Sequence, residues 1–529
     1  MAAQRVVIGV DSSTQATKAV AVDAESGQVL GEGRAPHTVS TGAGRESAPG
    51  QWWSALCAAI EQTGYAARAE ALSIGGQQHG LVTLDAAGDP VRPALLWNDV
   101  RSAPQAAALV DRFGAGWWAT RIGSVPNASF TAAKWAWLRE HEPHHADHVA
   151  AVRLPHDYLI ERLTGESVTD RGDVSGTAWW TPSGYDAEVL AAIGLDSAAL
   201  PIVASPDRAA GHTRADIPVR QGIPVGVGTG DNMAAALGLG LAPGTPVLSL
   251  GTSGTVYART RARPHDPTGV VAGFADAGAD WLPLACTLNC TQAIDRIAAL
   301  LSLDRNAVEP GGSAVVLPYL DGERTPQLPF ASGLMHGLRH DTTPGQLLQA
   351  AYDGAVYSLL AALDLVLSPS SAIGLAAAPS AGGEAHRSAG PPRADSSGYQ
   401  SSPASPQSNP ETSPDRNTAR SDGDVPAHDP ATPLLLIGGG ARGTAWQQTV
   451  LRLSGRAVQI PPAGELVALG AAAQAAGLLT GEDPYAVARR WRTAEGPLLE
   501  PVPRDTEALE RIAATLRAAQ PLLAAGGAA

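Results

Sequence analysis

Asp231 stands in the run Gly228-Thr229-Gly230-Asp231-Asn232, after an apolar stretch that reads as a strand. It heads an Ala-rich stretch, residues 232–239, that reads as a helix. An acid at a helix start is often only an N-cap. The glycines before it, however, leave its carboxylate open in a crevice beyond a strand's C-terminal end, where open α/β sheets bind ligands. With an ordinary carboxylate pKa of about 4 it is ionised at neutral pH. As a weak base it would orient an attacking hydroxyl and accept its proton late in a transition state. Asp11 is the second acid of interest. It ends a strand directly before the hydroxyl turn Ser12-Ser13-Thr14. A carboxylate there repels phosphate unless a cation intervenes, and Mg2+, which takes one or two carboxylates and keeps most of its waters, suits the position. An Asx-turn is the other reading of Asp11.

Asp11 belongs to one of two similar stretches. Residues 6–23 and 247–257 each read as an apolar run, a tight turn of small hydroxylated residues and glycine, and a second apolar run. Each is a β-hairpin with a hydroxyl-rich tip, and such tips offer N–H groups and hydroxyls to an anionic phosphate. Two of them suggest related halves facing one polyphosphate. The second tip carries Thr252 and Ser253 between Gly251 and Gly254, with no acid. A third loop, Gly438-Gly439-Gly440-Ala441, follows the strand LLLI and opens a helix. Glycines there let a flat ring approach the backbone, although ordinary strand-to-helix turns look the same. Gln77, Gln78 and His79 follow a buried strand at 71–74 and could hydrogen-bond a polyol. Trp97, Asn98, Asp99 and Arg101 form a second polar cluster with an aromatic face, common in sugar sites. His141, His144, His145 and His148 invite a zinc reading, but Pro143 breaks their helix and no clear fourth ligand accompanies them. They read as a solvated connector.

These residues need elements to hold them. Strand and helix patterns alternate in both halves, with helices at 51–65, 104–112, 132–141 and 346–367 and a strand-turn-helix at 433–451. That alternation argues an α/β fold with mixed sheets. LAPGTP, residues 241–246, is a plausible hinge between a domain at 1–243 and one at 244–529. Between Leu367 and Pro433 the pattern collapses into Ser, Pro, Ala, Gly and Asp. Such a stretch buries too little apolar surface to offset its ordering entropy, so a disordered insertion is expected at about 369–432, dispensable for turnover.

A chain of 529 residues suits two or three domains, and the net charge of −14 disfavours nucleic acid and anionic membranes. No uninterrupted apolar run approaches membrane-spanning length, and Met1 leads into the first strand without a charged or apolar leader. Cys57, Cys286 and Cys290 are too few for a disulfide framework, which points to a reducing, cytoplasmic location. Cys286 and Cys290 could share a helix face, as a metal or redox pair or as small buried residues. Only Lys18 and Lys134 are lysines, against 35 arginines. In an Arg-biased chain they hint at local need for a compact ammonium.

The motifs GVDSSTQATK, GQQHG, WNDVR, SFTAAKWAWL, GTGDN, LSLGTSGT, LPYLDGERTP, GLMHGL and LIGGGAR together resemble the FGGY carbohydrate kinases nearly end to end. PYLDGERTP and GQQHG are most similar to the members that phosphorylate D-xylulose at O5. The resemblance implies two actin-like (ribonuclease H-like) domains with ATP and a ketose in the cleft between them. It implies that Asp231 is the catalytic base and that Asp11 serves Mg2+ and activity. Gln78, His79 and Asn232 would hold the ketose, with Trp97 and Asp99 nearby. Thr14, Lys18, Thr252, Ser253, Gly439 and Gly440 would meet the nucleotide. Ser13 and Gln78 depart from the family, where Gly and Met are common, so Gln78 brings an extra polar contact or a shifted sugar preference. Kinases of ribulose, gluconate or glycerol stay open as alternatives, as does an actin-fold sugar sensor without transfer. A homodimer also stays open.

Overall fold

Residues of β1 (Val6–Ser12) are buried on both faces, and their alternation sets the layers of the first half. Val6, Ile8 and Val10 meet Trp52, Leu56 and Ile60 of the helix Pro49–Gln62, whereas Val7 meets Ala468, Leu469 and Ala472 of the helix Leu466–Thr480. The computed structural model describes residues 4–525 except 41, 43, 368–430 and 463. The insertion expected at 369–432 therefore lies almost wholly outside the described residues.

The first sheet contains β1, β2 (Ala16–Asp23), β3 (Val29–Pro36), β4 (Ala69–Gly76), β5 (Ala209–His212), β6 (Pro224–Gly226) and β7 (Thr229–Gly230). Their order is β5-β6-β4-β1-β2-β3, with β7 on β4. The second sheet contains β8 (Pro246–Leu250), β9 (Gly254–Ala258), β10 (Ala272–Ala275), β11 (Trp281–Thr287), β12 (Leu434–Ile437), β13 (Val458–Gln459) and β14 (Leu498–Leu499). Their order is β10-β11-β9-β8-β12-β13-β14. In each sheet a leading antiparallel hairpin receives a parallel strand on its first strand: β4 beside β1, and β12 beside β8. Both sheets are thus mixed, as the strand and helix alternation predicts, and the two hairpins occupy equivalent places.

The helix Leu466–Thr480 follows the second sheet in sequence but lies on β1, β4 and the helix Asp231–Gly238. The two helices cross backbone to backbone. A Cβ on Gly470 would stand 1.9 Å from the Ala234 carbonyl oxygen, and one on Gly238 would stand 2.1 Å from that of Leu466. Only glycine permits this approach, and it pins the helix that Asp231 begins.

Three details differ from expectation. Cys286 lies on β11 and Cys290 precedes the helix Thr291–Leu300, so they share no helix face; both are free thiols. β1 continues through Ser12, which is fully buried against Thr17, so the first tip exposes Ser13 and Thr14 instead. The helix Pro344–Leu367 is long and apolar enough to cross a membrane by length and composition. Most of its surface is instead covered by protein, with Leu348, Tyr352, Val356 and Leu359 in the second core and Asp353 paired to Arg452.

Candidate active site

β7 pairs with the end of β4, which brings Asp231 beside the loop that leaves β4. Asp231 is the first residue of its helix and Gly230 takes the cap position, so the carboxylate is not spent on capping from outside. A Cβ at Gly230 would meet Gln78 Cγ at 2.5 Å, so Gln78 lies directly over that glycine. Asn232 ties the group together: its Nδ2 donates to Gln78 Oε1 at 2.7 Å and to Asp231 Oδ1 at 3.0 Å. Gln78 Nε2 is buried and has no partner among the described residues, and neither amide atom of Gln77 has one. Unpaired buried donors are costly, so they mark a place where a polar ligand completes the site.

Asp231 does not keep an ordinary carboxylate pKa. Burial pushes it up, the charges of Asp11 and Asp173 add to the rise, and it reaches about 7 despite hydrogen bonds from Asn232. It is therefore a stronger base than its residue type suggests, because burial and neighbouring charge are tertiary properties.

The first hairpin puts Asp11 opposite Lys18 in register. Asp11 is buried, which raises its carboxyl, and it accepts a hydrogen bond from Ser13 Oγ at 2.5 Å. Lys18 Nζ lies 3.7 Å from Asp11 Oδ2 but only 2.7 Å from Glu465 Oε2. The Asp11 charge reaches Asp231 and helps raise its carboxyl, while the Lys18 ammonium lies between Asp11 and Glu465. This all-oxygen, charge-rich corner fits a hard divalent cation that keeps waters and phosphate as its other ligands. Among the described residues no cluster forms a complete protein cage for a metal.

Trp97 reaches the first tip, its Nε1 donating to Thr14 Oγ1 at 3.1 Å. Asp99 behaves differently from a free sugar acceptor. Arg45 N donates to its Oδ2 at 2.8 Å, and Arg101 donates to both of its oxygens. Its carboxylate anchors the loop that carries Trp97.

In the second half Gly251, Thr252 and Ser253 form the tip between β8 and β9, and Thr291 Oγ1 donates to the Gly251 carbonyl at 2.7 Å. Gly438 has φ +86 and a Cβ there would meet the Leu250 carbonyl at 2.7 Å, which locks the glycine loop against the tip. Gly440 is packed on Leu250 and Thr291, whereas the space above Gly439 is open. A flat ring can therefore lie on Gly439.

Several site neighbours carry no local sequence signal. Glu465 is one. Arg324 is another: it is exposed, and its charge favours the Cys286 thiolate, partly offsetting the burial that raises this thiol and the further rise from Asp231. Thr325 Oγ1 donates to the Cys286 carbonyl at 2.9 Å, and Cys286 pairs with Thr255 just beyond the second tip. Asp173 and His156 sit behind His79. The decoy histidines do not converge: His145 pairs with Glu142, and His148 hydrogen-bonds the His144 carbonyl.

A carboxyl base beside unsatisfied amides, with Asp11 of the first hairpin and with Tyr257 and Cys286 of the second sheet within its electrostatic reach, is the layout of a kinase of small polar molecules. Comparison agrees. Residues 6–238 match the N-terminal domain, and residues 247–478 the C-terminal domain, of the FGGY family of carbohydrate kinases. The chain belongs to that family, with its two actin-like α/β halves. A xylulose kinase of Streptomyces rubiginosus is 62% identical over 526 residues, 98% of each chain. The crystal structure of xylulose kinase from Bifidobacterium adolescentis is similar at TM-score 0.77 and 33% identity, over 97% of this chain and 99% of that one. A gluconate kinase from Lactobacillus acidophilus shares the fold at TM-score 0.81 and 17% identity, over 99% of each chain.

Proposed function

We propose that the chain phosphorylates D-xylulose at O5, giving D-xylulose 5-phosphate and ADP. The observation that carries this is the Asp231-Asn232-Gln78 group, in which a carboxyl titrating near neutrality stands beside an unpaired amide donor. The 62% identical xylulose kinase supports the choice of sugar.

Phosphoryl transfer proceeds through a loose transition state, so alignment and charge stabilisation supply most of the rate. Asp231 holds the C5 hydroxyl in line with the γ-phosphate and takes its proton as the new O–P bond forms and the bond to ADP breaks. Gln78, His79 and Asn232 fix the ketose, and Trp97 closes one side while Asp99 steadies its loop. Thr14, Lys18, Thr252 and Ser253 bind the phosphates, and Gly439 receives the adenine while Gly440 seats their loop on Leu250 and Thr291. Asp11 is the residue that would hold Mg2+, which when bound would neutralise charge on the phosphates. Residues 1–243 and 244–529 act as two domains. Closure about 241–246 excludes water and limits futile hydrolysis of ATP. The enzyme works in the cytoplasm on a small soluble sugar.

The test is a coupled ADP-release assay across D-xylulose, ribulose, gluconate and glycerol. D-xylulose should give the highest kcat/KM by at least tenfold. A preference for another polyol would move the substrate assignment, and binding of sugar without phosphorylated product would overturn the kinase reading.

A further inference from the structure

His79 is held by three surfaces. Its ring stacks on Phe130 at 5.7 Å and 7°, and meets Phe274 of β10 at 5.1 Å. Its third side lies against Gly176, where a Cβ would stand 1.9 Å from the ring's Cε1. Packing of this kind sets the plane of an imidazole but not its flip. Two orientations related by a half-turn occupy the same volume and exchange nitrogen for carbon.

Asp173 distinguishes them. Its Oδ1 accepts from the His79 backbone N–H at 3.3 Å and lies 3.4 Å from His79 Nδ1. Nδ1 is buried and completes no hydrogen bond among the described residues, and the Asp173 carboxylate is the charged group set against it. The other oxygen, Oδ2, lies 3.1 Å from Nδ1 of His156, a fully buried residue. His156 Nε2 faces Asp157 at 3.1 Å and Asp170 at 3.4 Å. Asp170 caps the short helix Arg171–Val174, accepting from Gly172 N and Asp173 N, and also accepts from Thr229 Oγ1 at 2.7 Å, two residues before Asp231. Burial opposes the charges here, but the three carboxylates outweigh it for His156. His156 and His79 together outweigh it for Asp173, which stays an anion.

We propose that Asp173, clamped by His156, is a positioning residue for His79: it selects the ring flip and the Nδ1–H tautomer, so that Nε2 meets a sugar hydroxyl as an acceptor. The inference rests on the sugar-site reading of His79. It makes His79 Nε2 accept a hydrogen bond from a sugar hydroxyl while Gln78 Nε2 donates one. Together they read a hydroxyl as donor and acceptor, which an apolar substitute cannot satisfy.

Histidine 15N NMR of the unmodified enzyme, with the His79 resonance assigned by its loss in His79→Gln, reads the tautomer directly. We expect protonated Nδ1 and bare Nε2; an Nε2–H tautomer overturns the inference. Kinetics supply a second readout. Asp173→Asn should raise KM for D-xylulose about tenfold and leave KM for ATP within twofold. In a His79→Ala background the same change should add less than twofold. Equal costs in both backgrounds would show that Asp173 acts independently of His79 and would overturn it. His156→Lys, which keeps a buried cation, should retain more of the wild-type KM than His156→Gln, and the reverse order would contradict the clamp. If His79→Ala leaves KM for D-xylulose unchanged while the NMR tautomer is as expected, the sugar-site reading fails instead, and with it the purpose assigned to Asp173.

Discussion

Lys18 and Glu465, 447 residues apart in sequence, meet with Nζ 2.7 Å from Oε2. The contact ties the first hairpin to the residue before the helix Leu466–Thr480, the same helix that pins Asp231 through its glycine crossing. Lys18 is therefore held near the phosphate corner before any nucleotide arrives. Lys18→Ala should raise KM for ATP about tenfold, the loss of one charged hydrogen bond, with KM for D-xylulose within twofold. Steady-state kinetics with each substrate varied separately check this, and Lys18→Arg should not restore the wild-type value.

The pH profile follows from Asp231. Burial first, then Asp11 and Asp173, lift its carboxyl to about 7. A general base works only when deprotonated, so kcat/KM for D-xylulose should fall tenfold per unit of pH below about 7. A limb near pH 4 would mean that the carboxyl is not perturbed in the working enzyme.

The same shift affects stability with a definite sign. A carboxyl raised on folding makes the native state bind more protons than the unfolded chain between its unfolded value and about pH 7. Stability from this group therefore falls as pH rises through that window. Asp231→Asn removes the cost of the buried charge and should raise Tm by about 2–4 °C at pH 8, with a smaller gain at pH 5. Thermal unfolding at the two pH values checks both sign and window.

Much of this site was legible locally. The two hairpins, the glycine loop and the start of the Asp231 helix are written in short-range patterns of apolar runs, glycines and hydroxyls. What was not legible depends on partners far along the chain. Glu465, Asp173 and His156 meet the site only through tertiary packing, and no spacing rule links them to it. The raised Asp231 carboxyl has the same origin, since burial is not a property of a pentapeptide. Asp99 has the residue type of a sugar contact, but Arg45 and Arg101 take up both of its oxygens. Ser12 belongs to β1 and not to the tip, because serine is as compatible with a buried strand as with a turn.

Lys134 explains the second surviving lysine. It is fully buried, donates to the Ala128 carbonyl at 2.8 Å and to that of Ser129, and burial pulls its ammonium down to about 7. Two carbonyls converge on one nitrogen, a geometry that suits an ammonium and leaves no room for a planar fork. Lys134→Arg should overpack the site and cost about 1–3 kcal/mol, read as a lower Tm with KM for both substrates little changed.

The central claim is that Asp231 performs the chemistry. The direct measurement is kcat for D-xylulose phosphorylation by Asp231→Ala, alongside circular dichroism and sugar binding. We expect kcat to fall by roughly 10²–10⁴ in a folded protein that still binds the ketose. Near-normal turnover by that folded variant would contradict it.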